Sequence, residues 1–316
     1  MKTTINLLAA LLLCSVTACA QHMGGNHHTA PTPGAESIET QDWAKARLAK
    51  SSRHQEWVKV KNGTREVNSF VVYPEVKTKA TAVVVIHEIF GMSDWVQSLT
   101  DQLAEAGYIA IAPDLLSGMG PNGGGTSSLD RNGVGQAIRD LPPDQVTADL
   151  NAVTDYVSKL PASNGKVVVT GYCWGGSQSF RFATNRPSLK AAFVFYGSAP
   201  AAADGTPDKA ALAKINSPVY GFYAGNDERI NATLPKTSEA MTELKKTFDP
   251  VTYAGAGHGF MRAGDAPEPT APVAKGDKEA DDKATADYQK TLTAYKANKK
   301  ARDDAWARWK KILAAI

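Results

Sequence analysis

The stretch Val167-Val168-Val169-Thr170-Gly171-Tyr172-Cys173-Trp174-Gly175-Gly176-Ser177 decides how the rest of the chain is interpreted. Its first four residues are β-branched, as in a buried strand, and we predict a helix over residues 178–183 directly after it. A strand that turns sharply into a helix, with a nucleophile at the apex and glycines on both sides, is a nucleophile elbow. Gly171 and Gly175 add no side chain at the strained apex, and Gly176 lets the helix pack close to the strand.

The apex residue is Cys173, where serine is commoner. A thiolate is the reactive form of cysteine, and the N-terminus of a helix stabilises negative charge beside it. The other interpretation of the same residues is a glycine-rich turn with a small buried cysteine. The rest of the sequence is needed to choose between a nucleophile elbow and such a turn.

The N-terminal residues 1–18 have the features of a signal peptide. Lys2 precedes an apolar run at residues 7–13, which is too short to span a bilayer of about 30 Å. Val16-Thr17-Ala18-Cys19 resembles the bacterial lipobox, in which the cysteine is acylated, while ordinary cleavage after Ala20 is the alternative. Both predict an exported protein, periplasmic or in the cell envelope. The lipobox interpretation, which we prefer, also predicts membrane contact through a lipid on Cys19.

Cysteine usage supports a reactive thiol. The chain has three cysteines, Cys14, Cys19 and Cys173, and the first two belong to the leader or the lipid site. Exported proteins normally pair their cysteines in disulfides, so a single unpaired one indicates a reactive thiol.

Residues 19–54 are predicted to be a tether, with a possible helix within residues 36–52. A patch of three histidines (His22, His27 and His28) could bind a metal, but no carboxylate or thiolate lies near it, and we predict no metal site. The formal net charge of +3 is spread along the chain and gives no indication of nucleic-acid binding.

The body, residues 55–316, alternates strands with helices. Predicted strands are at residues 57–60, 67–73, 82–87, 108–112, 166–170, 191–196, 219–223 and 250–253, the first two as an antiparallel pair at an edge. Predicted helices include residues 95–106 and 145–160. This alternation indicates an α/β fold with a mostly parallel sheet covered by helices on both faces. About eight strands with an elbow after the fifth match the α/β-hydrolase fold.

Two segments depart from this alternation. Residues 118–135 are rich in glycine and lack the Gly-Lys-Ser/Thr of a phosphate loop, so we interpret them as a mobile lid or loop over the active face. Residues 265–283 are rich in proline and alanine and then charged, which indicates an exposed insertion that need not be ordered. Residues 288–316 then carry an apolar stripe and are predicted to dock on the body as a helix.

A cysteine nucleophile needs a base, and the base needs an acid to orient it. Of the six histidines, His258 lies in a glycine-rich loop after the last predicted strand, whereas His87 ends a central strand and suits a core position. Asp227 follows the penultimate strand and is the preferred acid, with Glu228 as the alternative. Each of these residues follows a strand, and parallel strands end at the same edge of the sheet.

Backbone N–H groups would stabilise the oxyanion. The residue after the nucleophile, Trp174, supplies one of them, and Ile89, after the third strand, is placed to supply the other. Asp114 falls outside the chain order of the triad and is interpreted as structural.

These blocks together resemble the dienelactone hydrolase family. They are His87-Glu88-Ile89-Phe90-Gly91, Ala112-Pro113-Asp114-Leu115, the Cys173 elbow, the strand end at Asp227 and Gly257-His258-Gly259-Phe260, in the family's order. The resemblance covers about residues 57–262 and a terminal helix near residues 305–313.

The resemblance implies a Cys-His-Asp hydrolase of enol lactones that opens dienelactone to maleylacetate without a metal or organic cofactor. It implies that Glu88 holds the resting thiol and takes its proton when substrate arrives. It also implies that Arg262, four residues after the histidine, pairs with a substrate carboxylate, and it makes Arg131 a candidate for a second such arginine.

Two other functions remain open at this point. One is a broader carboxylesterase or thioesterase, which a pocket opened by the glycine-rich loop would favour. The other is a non-catalytic envelope lipoprotein whose C-terminal helices bind a partner. A scaffold has no need for Cys173, Asp227, His258 and Glu88 together, which speaks against the second.

Overall fold

One eight-stranded sheet organises the computed structural model, which describes residues 41–316. The strands are β1 Gln55–Asn62, β2 Arg65–Val72, β3 Ala80–Ile86, β4 Ile109–Pro113, β5 Ser163–Tyr172, β6 Ala192–Phe195, β7 Val219–Ala224 and β8 Phe248–Tyr253. Their order is β1-β2-β4-β3-β5-β6-β7-β8. The pairs β1/β2 and β2/β4 are antiparallel and all other neighbours are parallel. The predicted α/β-hydrolase fold is confirmed.

Helices cover both faces of this sheet in the described part of the chain. They are α1 Asp42–Ala49, α2 Asp94–Glu105, α3 Arg131–Asp140, α4 Pro143–Ser158, α5 Trp174–Asn185, α6 Lys209–Leu212, α7 Glu228–Asn231, α8 Leu234–Glu243 and α9 Lys278–Leu313. One apolar core includes the inner faces of α4, α5 and α8, and the other those of α2 and α9. Strand β3 lies between them, so all seven of its residues are buried, as a continuous apolar run predicts.

Backbones approach one another closely where β5 turns into α5. A Cβ atom added to Gly175 would lie 2.3 Å from the carbonyl oxygen of His87, after β3. One added to Gly176 would lie 2.4 Å from the carbonyl oxygen of Phe195, at the end of β6. The glycines therefore let α5 begin between the ends of two strands, which agrees with the elbow inferred from the sequence.

The glycine-rich segment is more regular than predicted. Two short 3₁₀ turns, Pro121–Gly123 and Thr126–Ser128, are followed by α3, which begins at Arg131 inside the predicted loop. Asp114 holds the segment in place, since its carboxylate accepts hydrogen bonds from the backbone N–H and the hydroxyl of Thr126, at 2.8 and 2.7 Å. Asp114 is therefore structural, as the sequence suggested.

The long C-terminal helix begins earlier than predicted. Helix α9 starts at Lys278, so the predicted insertion at residues 265–283 ends as helix, while residues 271–280 are exposed. Its C-terminal half docks on the sheet through the fully buried Trp309, whose ring lies 5.3 Å from that of Phe195. The predicted docking is confirmed.

The N-terminal boundary of the folded body also differs from the prediction. The sequence analysis placed a tether up to residue 54, whereas Gln41 is already buried and α1 packs against α2. The signal peptide, Cys19 and the three-histidine patch lie outside the described residues. Among residues 41–316, no helix combines the length and apolar character needed to cross a membrane.

The close approach at the elbow predicts a mutational effect. Gly176→Ala should lower the free energy of unfolding by about 1–3 kcal/mol, because its methyl group would overlap the Phe195 carbonyl. Gly135→Ala is the matched control, since the nearest atom to its added Cβ is a terminal nitrogen of Arg139 at 3.6 Å. The control should be neutral or stabilising by up to about 1 kcal/mol. Denaturant unfolding measures both, and equal midpoints would contradict the packing argument.

Candidate active site

The candidate nucleophile Cys173 occupies strained backbone at the elbow. Its φ is 57° and its ψ is −118°, in a region that non-glycine residues rarely adopt. The conformation is held by the Cys173 N–H, which donates to the carbonyl of Phe195 at 3.1 Å, and by α5, which begins at the next residue. The side chain is partly exposed and forms no disulfide. The thiol is therefore presented at the carboxyl end of the sheet, beside a helix N-terminus.

His258 and Asp227 are brought together from two loops at the same edge of the sheet. The Nδ1 atom of His258 lies 2.5 Å from Oδ2 of Asp227. Asp227 also caps α7, because its Oδ1 accepts a hydrogen bond from the N–H of Ile230 at 3.4 Å. The alternative acid, Glu228, is exposed on α7. Of the two acids suggested by the sequence, Asp227 is the one bonded to His258.

The electrostatics of this pair favour a charged imidazole. Burial lowers the pKa of His258, but hydrogen bonds with Asp227 and Cys173 and the negative charges on both partners outweigh it and raise the pKa to about 9. Burial likewise raises the pKa of Asp227, but its hydrogen bond and ion pair with His258 bring that pKa below its ordinary value. The raised pKa favours the imidazolium form of His258, which is the form that can stabilise a thiolate on Cys173.

Glu88 is buried, with 2% of its surface exposed. Its Oε1 accepts a hydrogen bond from the hydroxyl of Tyr196 at 3.3 Å, and its Oε2 accepts one from Nη1 of Arg262, also at 3.3 Å. The resemblance assigned Glu88 to the resting thiol. In this structure, its two oxygens are held by a tyrosine and an arginine.

Tyr196 is a site residue that the sequence analysis did not single out. It directly follows β6, is fully buried and has a φ of 39°. Its ring also packs edge-on against His258, with centroids 5.0 Å apart. Its position after a parallel strand was the available signal, because the ends of such strands had identified Cys173, Asp227 and His258.

The two candidate substrate arginines line different cavities. Arg262 lines a cavity of about 400 Å³ together with His258, and Arg131 lines a second one of about 290 Å³. Phe90 connects them, because its ring lines the second cavity and lies 5.4 Å from the guanidinium carbon of Arg262. The structure therefore does not bring both arginines into one cavity.

The remaining residues considered from the sequence are the two oxyanion candidates, Trp174 and Ile89, and the core candidate His87. Trp174 is the first residue of α5, so its N–H is one of the helix donors without an intrahelical partner. Ile89 follows Glu88 in the loop after β3 and is 40% exposed. His87 is buried, with Nδ1 donating to the Glu88 carbonyl and Nε2 accepting from the Leu115 N–H, which agrees with a core role. Within residues 41–316, no cluster of side chains suits a metal ion.

The raised pKa of His258 leads to a pH-dependent prediction. Asp227→Asn removes the charge that favours the imidazolium, so His258 should lose its proton at lower pH and Cys173 should become a poorer nucleophile. Alkylation of Cys173 by iodoacetamide at pH 7 should slow by about tenfold, one pKa unit corresponding to a tenfold change. Peptide mass spectrometry across a pH series resolves this cysteine from the other two.

Glu228→Gln is the matched control for that experiment, because it removes a neighbouring exposed carboxylate. Its alkylation profile should follow that of the unmodified protein. A profile for Asp227→Asn that coincides with both would show that Asp227 does not set the charge of His258.

Comparison with known proteins assigns the chain to a family. The sequence profile of the dienelactone hydrolase family matches residues 67–316. A provisionally named carboxymethylenebutenolidase of Methylorubrum extorquens is 31% identical over 183 residues, which are 56% of this chain and 62% of that protein. One of Saccharolobus solfataricus, also provisionally named, is 31% identical over 228 residues, 62% of this chain and 84% of that protein.

Solved structures agree on the fold. A provisionally assigned dienelactone hydrolase from Klebsiella pneumoniae has a TM-score of 0.59 at 24% identity and covers 78% of this chain and 99% of its own. A dienelactone hydrolase-like promiscuous phosphotriesterase from metagenomic libraries has a TM-score of 0.62 at 18% identity and covers 84% and 99%. From the extent of the profile match, this chain belongs to the dienelactone hydrolase family.

Proposed function

We propose that this protein hydrolyses ester or lactone bonds through a Cys173-His258-Asp227 triad and a thioester intermediate. The observation that carries the proposal is the 2.5 Å contact between His258 and Asp227, with the elbow cysteine as the other partner of His258. Family membership supports a hydrolase acting on a small molecule. A carboxymethylenebutenolidase activity, opening dienelactone to maleylacetate, is the specific form that we propose.

In the first half of the reaction, the thiolate of Cys173 attacks the carbonyl carbon of the substrate. The N–H groups of Trp174 and Ile89 stabilise the negative charge that develops on the carbonyl oxygen. The tetrahedral intermediate then collapses, the C–O bond breaks and a thioester forms on Cys173. The enolate of a lactone ring is a good leaving group, and the imidazolium of His258 is placed to give it a proton.

In the second half, His258 is neutral and acts as a general base. It takes a proton from water, and the resulting hydroxide attacks the thioester carbonyl. The C–S bond breaks, the acid is released, and the thiolate and imidazolium pair of Cys173 and His258 is restored. Asp227 orients the imidazole throughout and stabilises its charged form.

The proposed substrate bears a carboxylate, which Arg262 would bind. Arg262 lines the same cavity as His258, and its side chain is 18% exposed. A guanidinium can donate two parallel hydrogen bonds to a carboxylate. Gly259, at a φ of 80°, leaves the space that the guanidinium occupies, since an added Cβ would lie 2.2 Å from Nη2.

The triad is tested by hydrolysis of cis-dienelactone and of p-nitrophenyl acetate. Cys173→Ala and His258→Gln should each lower kcat for both substrates by at least about a thousandfold, because the residues of such a unit act together. His54→Gln is the matched control, since that side chain is 68% exposed and should leave both rates unchanged. Turnover by Cys173→Ala at the rate of the unmodified protein would refute the proposal.

We also propose that the protein is exported and lipid-anchored through Cys19. The supporting observation is the lipobox-like Val16-Thr17-Ala18-Cys19 after a short apolar run. Cys19→Ala should move the protein from the membrane fraction to the soluble fraction, because acyl chains contribute about 0.8 kcal/mol of membrane affinity per buried methylene group. Cys14→Ala is the control and should stay membrane-bound. An unmodified N-terminus at Gln21, by intact mass, would contradict the lipid anchor.

A further inference from the structure

Helix α1 lies N-terminal to the region matched by the family profile, residues 67–316, and yet it contacts Gly264 and Asp265, just after Arg262. Arg47 of this helix pairs with Asp265 at 2.5 Å and with Glu105 of α2 at 2.7 Å. Trp43 lies against Gly264, where an added Cβ would be 3.0 Å from the indole ring. Helix α1 therefore bridges α2 and the segment just after Arg262.

The residue that precedes α1, Gln41, is buried, with only 6% of its surface exposed. Its Oε1 accepts a hydrogen bond from the N–H of Trp95, in the first turn of α2, at 3.0 Å. Its backbone carbonyl accepts hydrogen bonds from the N–H groups of Ala44 and Lys45. The side chain of Gln41 is thus hydrogen-bonded to α2, and its backbone carbonyl is hydrogen-bonded to α1.

The side chain of Gln41 borders both cavities at the candidate active site. It lines the larger one with His258 and Arg262, and the smaller one with Phe90 and Arg131. Glu268 also lines the larger cavity and is exposed. The wall between the two cavities therefore includes a residue from a segment that the comparison with the family did not cover.

The hydrogen bond to Trp95 decides which end of the Gln41 amide can serve a substrate. Since Oε1 accepts from the α2 backbone, the other end of the amide is Nε2, which only donates. A second donor in a cavity that already contains the guanidinium of Arg262 suits a ligand with several acceptor oxygens. We propose that Gln41, the residue before α1, completes the substrate cavity and determines specificity by donating from Nε2 to a carboxylate or carbonyl oxygen of the substrate.

This inference rests on the proposed hydrolase function, and Gln41→Glu tests it. The glutamate keeps an oxygen for the Trp95 N–H but replaces the donor with a negative charge. KM for cis-dienelactone, which carries a carboxylate, should rise at least about tenfold through like-charge repulsion. Hydrolysis of the neutral p-nitrophenyl acetate should change by less than about twofold. Gln97→Glu is the control, because it adds the same charge to α2 at a residue that lines neither cavity.

A selective rise in KM for the lactone supports the inference. An equal loss for both esters would show a structural role, and an unchanged KM would show no contact, so either result overturns it. A second measurement does not depend on turnover: glutarate should slow the alkylation of Cys173 by iodoacetamide, and the neutral diamide of glutarate should not. Protection that is as strong in Gln41→Glu as in the unmodified protein, or absent from both, would also overturn the inference.

The two proposals fail in distinguishable ways. If the unmodified protein hydrolyses neither ester, the proposed function fails, and the glutarate experiment still decides whether Gln41 faces an anionic ligand. If it hydrolyses both and Gln41→Glu does the same with unchanged KM, the function stands and the role of Gln41 is refuted.

Discussion

The close backbone packing at the start of α5 is the constraint on which the site depends. Gly175 and Gly176 let the first turn of this helix lie against the backbones at the ends of β3 and β6. The same two strand ends lead directly into Glu88 and Tyr196, which are hydrogen-bonded to each other. One steric condition, the absence of a side chain at these two positions, thus allows the strained conformation of Cys173 and also brings the buried polar groups close to the elbow.

The buried charges beside the elbow are arranged in pairs. Asp227 is bonded to His258, and Glu88 is bonded to Arg262, as the high cost of an unpaired buried charge requires. Arg262 has two roles at the site. It neutralises the charge of Glu88, and it lines the cavity next to His258. A substrate carboxylate at Arg262 would therefore share the guanidinium with Glu88. Its binding would alter the hydrogen bond between Arg262 and Glu88.

The errors of the sequence analysis have local physical causes. The glycines of residues 118–135 suggested a loop, but Asp130 caps α3 by accepting from the N–H of Gly133, and Val134, Ala137 and Ile138 give that helix a buried side. The start of α9 was missed because it has no apolar period. It is instead stabilised by its cap at Asp277 and by ion pairs four residues apart, such as Lys278 with Asp282.

The sequence by itself determined the order of the eight strands along the chain, the elbow and the chain positions of Cys173, Asp227 and His258, because hydrophobic periodicity and glycine placement are local properties of the chain. It left Asp227 and Glu228 as alternatives, and the fold separated them by pointing one into the site and the other to solvent. It contained no signal for Gln41 or for the separate cavities of Arg131 and Arg262. Those depend on contacts between residues far apart in the chain, and only tertiary packing brings such residues together.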